Sequence, residues 1–137
     1  MIRLFNTVCL IVLFLASSKA QQSEKTTFLI PLAGNSFEIG YNNGKSAVQK
    51  NSVQLSPNSK KVSTYFKLAN TGNLVVKLTA KTLDETPSTV EIAVGKEKRK
   101  INIASKDYQT IDLGTYNIAQ SGYKSVDFLS STGKVDI

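Results

Sequence analysis

Histidine and tryptophan are absent from the 137 residues, and Cys9 is the single cysteine. Without imidazole, neither a Ser-His-Asp nor a Cys-His arrangement can be built, and general acid–base work by histidine is excluded. The usual zinc sites, which draw on histidine and cysteine together, are excluded with them. The eight glycines are scattered rather than gathered, so no loop cradles a phosphate. No apolar run approaches the roughly 20 residues that a spanning helix needs. The longest, Leu4 to Ala16, covers 13 positions at the start of the chain.

That run is part of a segment expected to be a signal peptide. Arg3 supplies a short positive start, and Ser18 and Ala20 are small residues at the cleavage-determining positions. Residues 1–20 are therefore read as a secretory signal, residues 21–26 as a polar lead-in, and residues 27–137 as one β-sandwich domain. Cys9 lies inside the signal, too far from the cleavage region for lipid attachment. The exported chain carries no disulfide, which suits a secreted or periplasmic bacterial protein whose core alone holds it together. No stable membrane span is expected. Of the 17 basic side chains Arg3 and Lys19 leave with the signal, so 15 remain against 10 acidic ones. An excess of this size most often means a solvated basic surface.

The body of the chain is organised in steps of two. Val62, Thr64, Phe66 and Leu68 share one parity, and Ser63, Tyr65 and Lys67 the other. Leu74, Val76, Leu78 and Ala80 repeat the pattern, as do Val90, Ile92 and Val94. Ile101 and Ile103 complete a hairpin over residues 89–103. Such alternation belongs to antiparallel strands with one buried face. Further strands are read at Phe28–Leu32, around Val53–Leu55, at Gln109–Leu113 with a short continuation at Tyr116–Ile118 beyond a break at Gly114, and at Tyr123–Leu129. Phe37, Ile39 and Tyr41 also share a parity. Asn42-Asn43-Gly44 is the strongest turn signal. No window has a helical period. The expected fold is all-β, an antiparallel β-sandwich of jelly-roll type with eight or nine strands. The chain stops at Val135-Asp136-Ile137 within a strand-like alternation, and so reads as a fragment truncated at its C-terminus.

Little of this carries chemistry. Asp84 and Glu85 are adjacent in a loop, whereas a glycosidase pair flanks a bond from two separate positions. Asp107, Asp112, Asp127, Asp136 and Glu38 are oxygen donors of the kind a structural calcium takes, but no Asp-x-Asp-x-Asp spacing supports one. They read as solvated turn residues, and no cofactor is expected. Lys96, Lys98, Arg99 and Lys100 surround a hairpin turn and read first as protection of a strand edge. Nucleic acid is not an expected partner, since basic and aromatic residues do not interleave. The chain is not read as an enzyme.

The tyrosines Tyr41, Tyr65, Tyr108, Tyr116 and Tyr123 remain. Tyrosine commonly bridges core and surface, but flat sugar faces also stack on aromatic rings while amides and charges bond the hydroxyls. Tyr65 is set outward by parity beside Lys67, and Tyr41 flanks a turn rich in amides. The candidate ligand-binding residues are thus Tyr41 and Tyr65 as platforms, with Asn42, Asn43, Asn58 and Lys67 as polar contacts.

A resemblance runs through nearly all of residues 27–137. It is carried by Ile30-Pro31-Leu32-Ala33-Gly34-Asn35-Ser36-Phe37, Ser63-Thr64-Tyr65-Phe66, Thr71-Gly72-Asn73-Leu74, Leu113-Gly114-Thr115-Tyr116, Gly122-Tyr123 and Thr132-Gly133. The chain resembles an uncharacterised β-sandwich domain of secreted, Bacteroidota-type bacterial proteins that usually precedes a larger domain of unknown function. That domain is itself similar to jelly-roll carbohydrate-binding modules. The resemblance implies a non-catalytic module whose partner is a glycan, in a larger polysaccharide-associated protein. Family members commonly carry tryptophan after the Gly-Asn-Ser and in the loop before the Ser-Thr-Tyr-Phe strand. Here Phe37 stands at the first position, and residues 50–61 contain no aromatic side chain. That departure favours the alternative, a structural or docking domain supporting a neighbouring domain without binding sugar.

Overall fold

The computed structural model describes residues 26–40 and 46–137. The expected signal peptide and the residues Tyr41, Asn42 and Asn43 lie outside this range. Nine strands are described: β1 (Ser36–Glu38), β2 (Gln54–Leu55), β3 (Val62–Leu68), β4 (Gly72–Thr82), β5 (Ser88–Val94), β6 (Glu97–Ile103), β7 (Gln109–Ile118), β8 (Gly122–Ser131) and β9 (Val135–Asp136). They form two antiparallel sheets, β1-β3-β8-β5-β6 and β2-β9-β4-β7. From β2 onward each successive strand changes sheet, except across the β5–β6 hairpin. With β1 added at one edge, this is the strand order of a jelly roll, and the all-β sandwich read from the sequence is the fold. No helix among the described residues is long and apolar enough to cross a membrane.

Alternation places the core where the sequence put it. Val62, Val90, Ile92, Ile103 and Val135 are fully buried, and Phe128 and Leu113 nearly so. Of the apolar closing residues Val135 belongs to β9, which lies between β2 and β4, and Ile137 follows it directly. Ile137 exchanges both backbone hydrogen bonds with Val53 at 3.0 Å.

Two bulges adjust the pleat. Leu129 is the extra residue of β8 against β5, where the register passes from Glu91↔Ser130 to Ile92↔Phe128. Leu113 is the extra residue of β7 against β4, where it passes from Val76↔Gly114 to Lys77↔Asp112. The expected break at Gly114 is therefore not a break. Gly114 adopts φ 101°, a conformation that side chains disfavour, and the strand runs on through it. Its N–H donates to Asp112 Oδ1 at 2.6 Å. The bulge also exchanges the faces, so Ile111 and Leu113 point inward before it and Tyr116 after it.

Phe28–Leu32, expected as the first strand, is not a strand. Proline 31 offers no donor to a ladder, and the segment instead lines the margin of the core. There it lines a half-open cavity of about 550 Å³ between the two inner faces. The Phe28 ring lies 6.5 Å from that of Phe66. Phe37 and Ile39 share a parity as read, but it is the outward one. The buried residue beside them is Ser36, whose hydroxyl shares a 2.7 Å hydrogen bond with Thr64 Oγ1. Asp84 is more than a solvated loop residue, since its Oδ2 accepts the Lys134 N–H at 2.6 Å and ties the β4–β5 connection to β9.

Candidate functional site

Strand β3 presents Tyr65 and Lys67 outward because Thr64 and Phe66 are drawn into the core. Its partner β8 sets Ser125 opposite Tyr65 and Tyr123 opposite Lys67. Tyr65 and Tyr123 are therefore diagonal neighbours on one face, within reach of a single ligand ring pair at about 7–8 Å. Phe37 on β1 packs against Tyr65 with ring centres 6.0 Å apart and planes inclined at 59°. The Lys67 ammonium lies 5.9 Å from the Tyr123 ring centre. Tyr123 is 75% exposed and Tyr65 41%, so much of both rings lies open to solvent.

Strand β5 ends at Val94, paired with Val126, while β8 extends further to Gly122. The resulting notch has a volume of about 430 Å³. Tyr65 and Tyr123 stand on its rim with Ser125. The β5–β6 turn supplies Lys96 and Glu97, β7 supplies Tyr116 and Asn117, and β8 supplies Lys124. Tyr116 is buried, and its hydroxyl donates to the Leu113 carbonyl at 2.8 Å. Burial raises its phenol pKa, an effect that the Arg99 guanidinium, 5.1 Å from the ring centre, opposes. Glu97, the carboxylate among the described lining residues, pairs with Arg99 at 3.5 Å.

Of the residues read as candidates, the structure brings Tyr65 and Lys67 together. Asn58 lies in the Ser56–Ser59 turn before the Val62 end of β3, away from the notch. Tyr123 is one of the five tyrosines the sequence offers but not one of the two expected platforms, and Asn117 is not among the expected polar contacts. Tyr123 belongs with Tyr65 through the β3–β8 register, which links positions 58 apart in the chain. The carboxylates considered for calcium are dispersed. Glu38 accepts from the Ala47 N–H, Asp112 from that of Gly114, and Asp136 from the Tyr108 hydroxyl. Among the described residues no three His, Cys, Asp or Glu side chains form a metal cluster.

Asp127 lies opposite Ser63 on the outer face, and its Oδ2 pairs with Lys61 Nζ at 2.6 Å. Burial alone would raise its pKa. The Lys61 hydrogen bond and charge, with the Ser63 and Ser125 hydroxyls beside it, outweigh this and hold it below the ordinary value of an aspartate. Ser63 Oγ and Asp127 Oδ1 are buried without a partner in regular hydrogen-bond geometry, so Lys61 carries most of the lowering. A carboxylate with a depressed folded pKa contributes stability that is complete above about pH 4 and is lost as the pH falls through the folded value. Asp127→Asn is expected to flatten the acid limb of the stability profile below about pH 4. Urea midpoints from neutral to acid pH measure this, and an unchanged acid limb contradicts the pairing.

No curated protein matches the chain. A crystal structure of a ruminal GH26 endo-beta-1,4-mannanase aligns over 82% of this chain and 26% of its own, with TM-score 0.47 and 13% identity. The chain thus spans about a quarter of that enzyme's length. Residues 30–135 match the family described as Domain of unknown function (DUF5077), and the chain belongs to that family.

Proposed function

We propose that this protein is an exported, non-catalytic carbohydrate-binding module that holds a sugar chain across Tyr65 and Tyr123, at the mouth of the notch. The observation that carries this reading is the pair of open phenol rings on one sheet face, diagonal to each other and beside the notch. Tyr123 is largely solvent-exposed, so core filling does not account for it. Apolar faces of pyranose rings would cover the two phenols, while Asn117 and Ser125 offer hydrogen bonds to hydroxyls. Cleavage is not part of the proposal: hydrolysis of a glycosidic bond uses two carboxyl groups about 5–9.5 Å apart, and Glu97 is engaged with Arg99.

Titration calorimetry of the full chain against a panel of oligosaccharides tests the proposal. Tyr65→Ala and Tyr123→Ala are each expected to weaken binding about 10-fold, the loss that follows from uncovering part of an aromatic stacking surface. Circular dichroism should show both variants folded. Absence of binding at millimolar sugar, or unchanged affinity in the double variant, overturns the reading. A thermal shift produced by a neighbouring domain and by no sugar would replace it with the docking role.

A further inference from the structure

The notch carries an excess of positive charge that stacking on neutral sugars does not use. Lys96 and Lys124 line it, and Lys67 lies against the Tyr123 ring on its rim. The lining carboxylate, Glu97, is already paired with Arg99. Among the described residues no carboxylate lies within the 4.0 Å of an ion pair from Lys67, Lys96 or Lys124. Protection of a strand edge accounts for Lys98 and Lys100 on β6, where Lys98 also approaches Glu91 at 3.9 Å. It does not account for Lys124, which β8 sets opposite the inward Phe66 and so at the recess.

We propose that the glycan taken by this notch is acidic, a pyranose chain bearing carboxylate or sulfate groups. The inference rests on the carbohydrate-binding reading above and adds the ligand's charge to it. A sugar ring lying on Tyr65 or Tyr123 exposes its substituents at the ring edge. Lys67 lies beside that edge, against the Tyr123 ring, and Lys96 and Lys124 line the notch next to it, each on a flexible stem that carries a point charge with three donors. The phenols hold the ring face, and the ammonium groups select the anion. Lysine pairs at a solvated rim are screened by salt, so the preference is salt-dependent, whereas stacking is not.

The full chain is titrated with a neutral oligosaccharide, a uronate oligomer of equal length, a sulfated oligomer and polyglutamate. At about 50 mM salt the preferred acidic oligomer is expected to bind at least about 10-fold more tightly than the neutral one, with the advantage largely gone near 0.5 M. The uronate and sulfate arms identify which anion is preferred. The double variant Lys96→Gln/Lys124→Gln should lose the preference and keep the neutral affinity, while Tyr65→Ala weakens both. A neutral sugar bound as tightly as both acidic oligomers, with Tyr65 dependence intact, overturns the acidic preference alone. So does a preference that survives in the lysine variant. Failure of every sugar to bind removes the carbohydrate reading itself. Polyglutamate binding as tightly as the acidic sugars, without dependence on Tyr65, overturns both in favour of charge alone.

Discussion

Phe128→Ala is expected to lower the unfolding free energy by about 3–5 kcal/mol, the range for removing an aromatic side chain from a packed core. Phe128 is 1% exposed and lies on β8, between β3 and β5 in the middle of the five-stranded sheet. Its cross-strand neighbours are Val62 and Ile92, both fully buried. Truncation leaves a void that enlarges the cavity lined by both Phe128 and Phe28–Leu32. Collapse of that segment into the void would place the loss at the lower end of the range. At about 3–6 °C for each kcal/mol in a domain of this size, the melting temperature should fall by more than about 10 °C. Thermal unfolding followed by circular dichroism measures this. A fall below about 3 °C contradicts the central packing described for Phe128.

The second large effect is expected at Gly114. A Cβ there would lie 2.2 Å from Arg99 Nη1 and 2.9 Å from its Cζ, on a backbone with φ 101°. The arginine tip can move aside, but the backbone cannot relax without losing the bulge. Gly114→Val therefore adds backbone strain, made worse by branching at Cβ, to the displacement of Arg99 from Tyr116. A loss of about 2–3 kcal/mol is expected. Two measurements separate the contributions. Arg99→Gln removes the cation and leaves the bulge, so its stability loss should be much the smaller. In both variants the Tyr116 phenol loses the charge that opposes its raised pKa, so its ultraviolet titration should move further upward. Equal stability losses in the two variants would assign the effect to the guanidinium and not to the backbone.

Local pattern carried the two-sheet reading because strand periodicity is short-range. In β3 the run Val62, Thr64, Phe66 both defines the strand and turns Tyr65 outward. The same logic fails where an extra residue enters. Leu113 and Tyr116 lie three apart, so a strict period of two cannot set both inward. Only the bulge at Gly114 does so, and nothing short of the β4 pairing reveals it. Phe28–Leu32 fails for another reason. Its alternation is genuine, but strand identity requires a partner edge, and Pro31 and the open margin of the core favour a covering segment.

Residue order by itself determined the alternating faces of β3 to β6, most of the inward set of aliphatic side chains, the outward Tyr65 and the absence of imidazole chemistry. These depend on neighbours two positions apart and on composition. Tertiary structure decided which strands are adjacent, and so which distant residues share a surface. It joined Tyr123 to Tyr65, ended β5 short of β8 to open the notch, and brought Lys96, Asn117 and Lys124 to it from three different strands or turns. It also separated Asn58 from the site. Strand pairing is the physical reason, because it is a long-range choice among edges that hydrogen bonding alone makes equivalent. Burial of each sheet's apolar face against the other selects one arrangement from many.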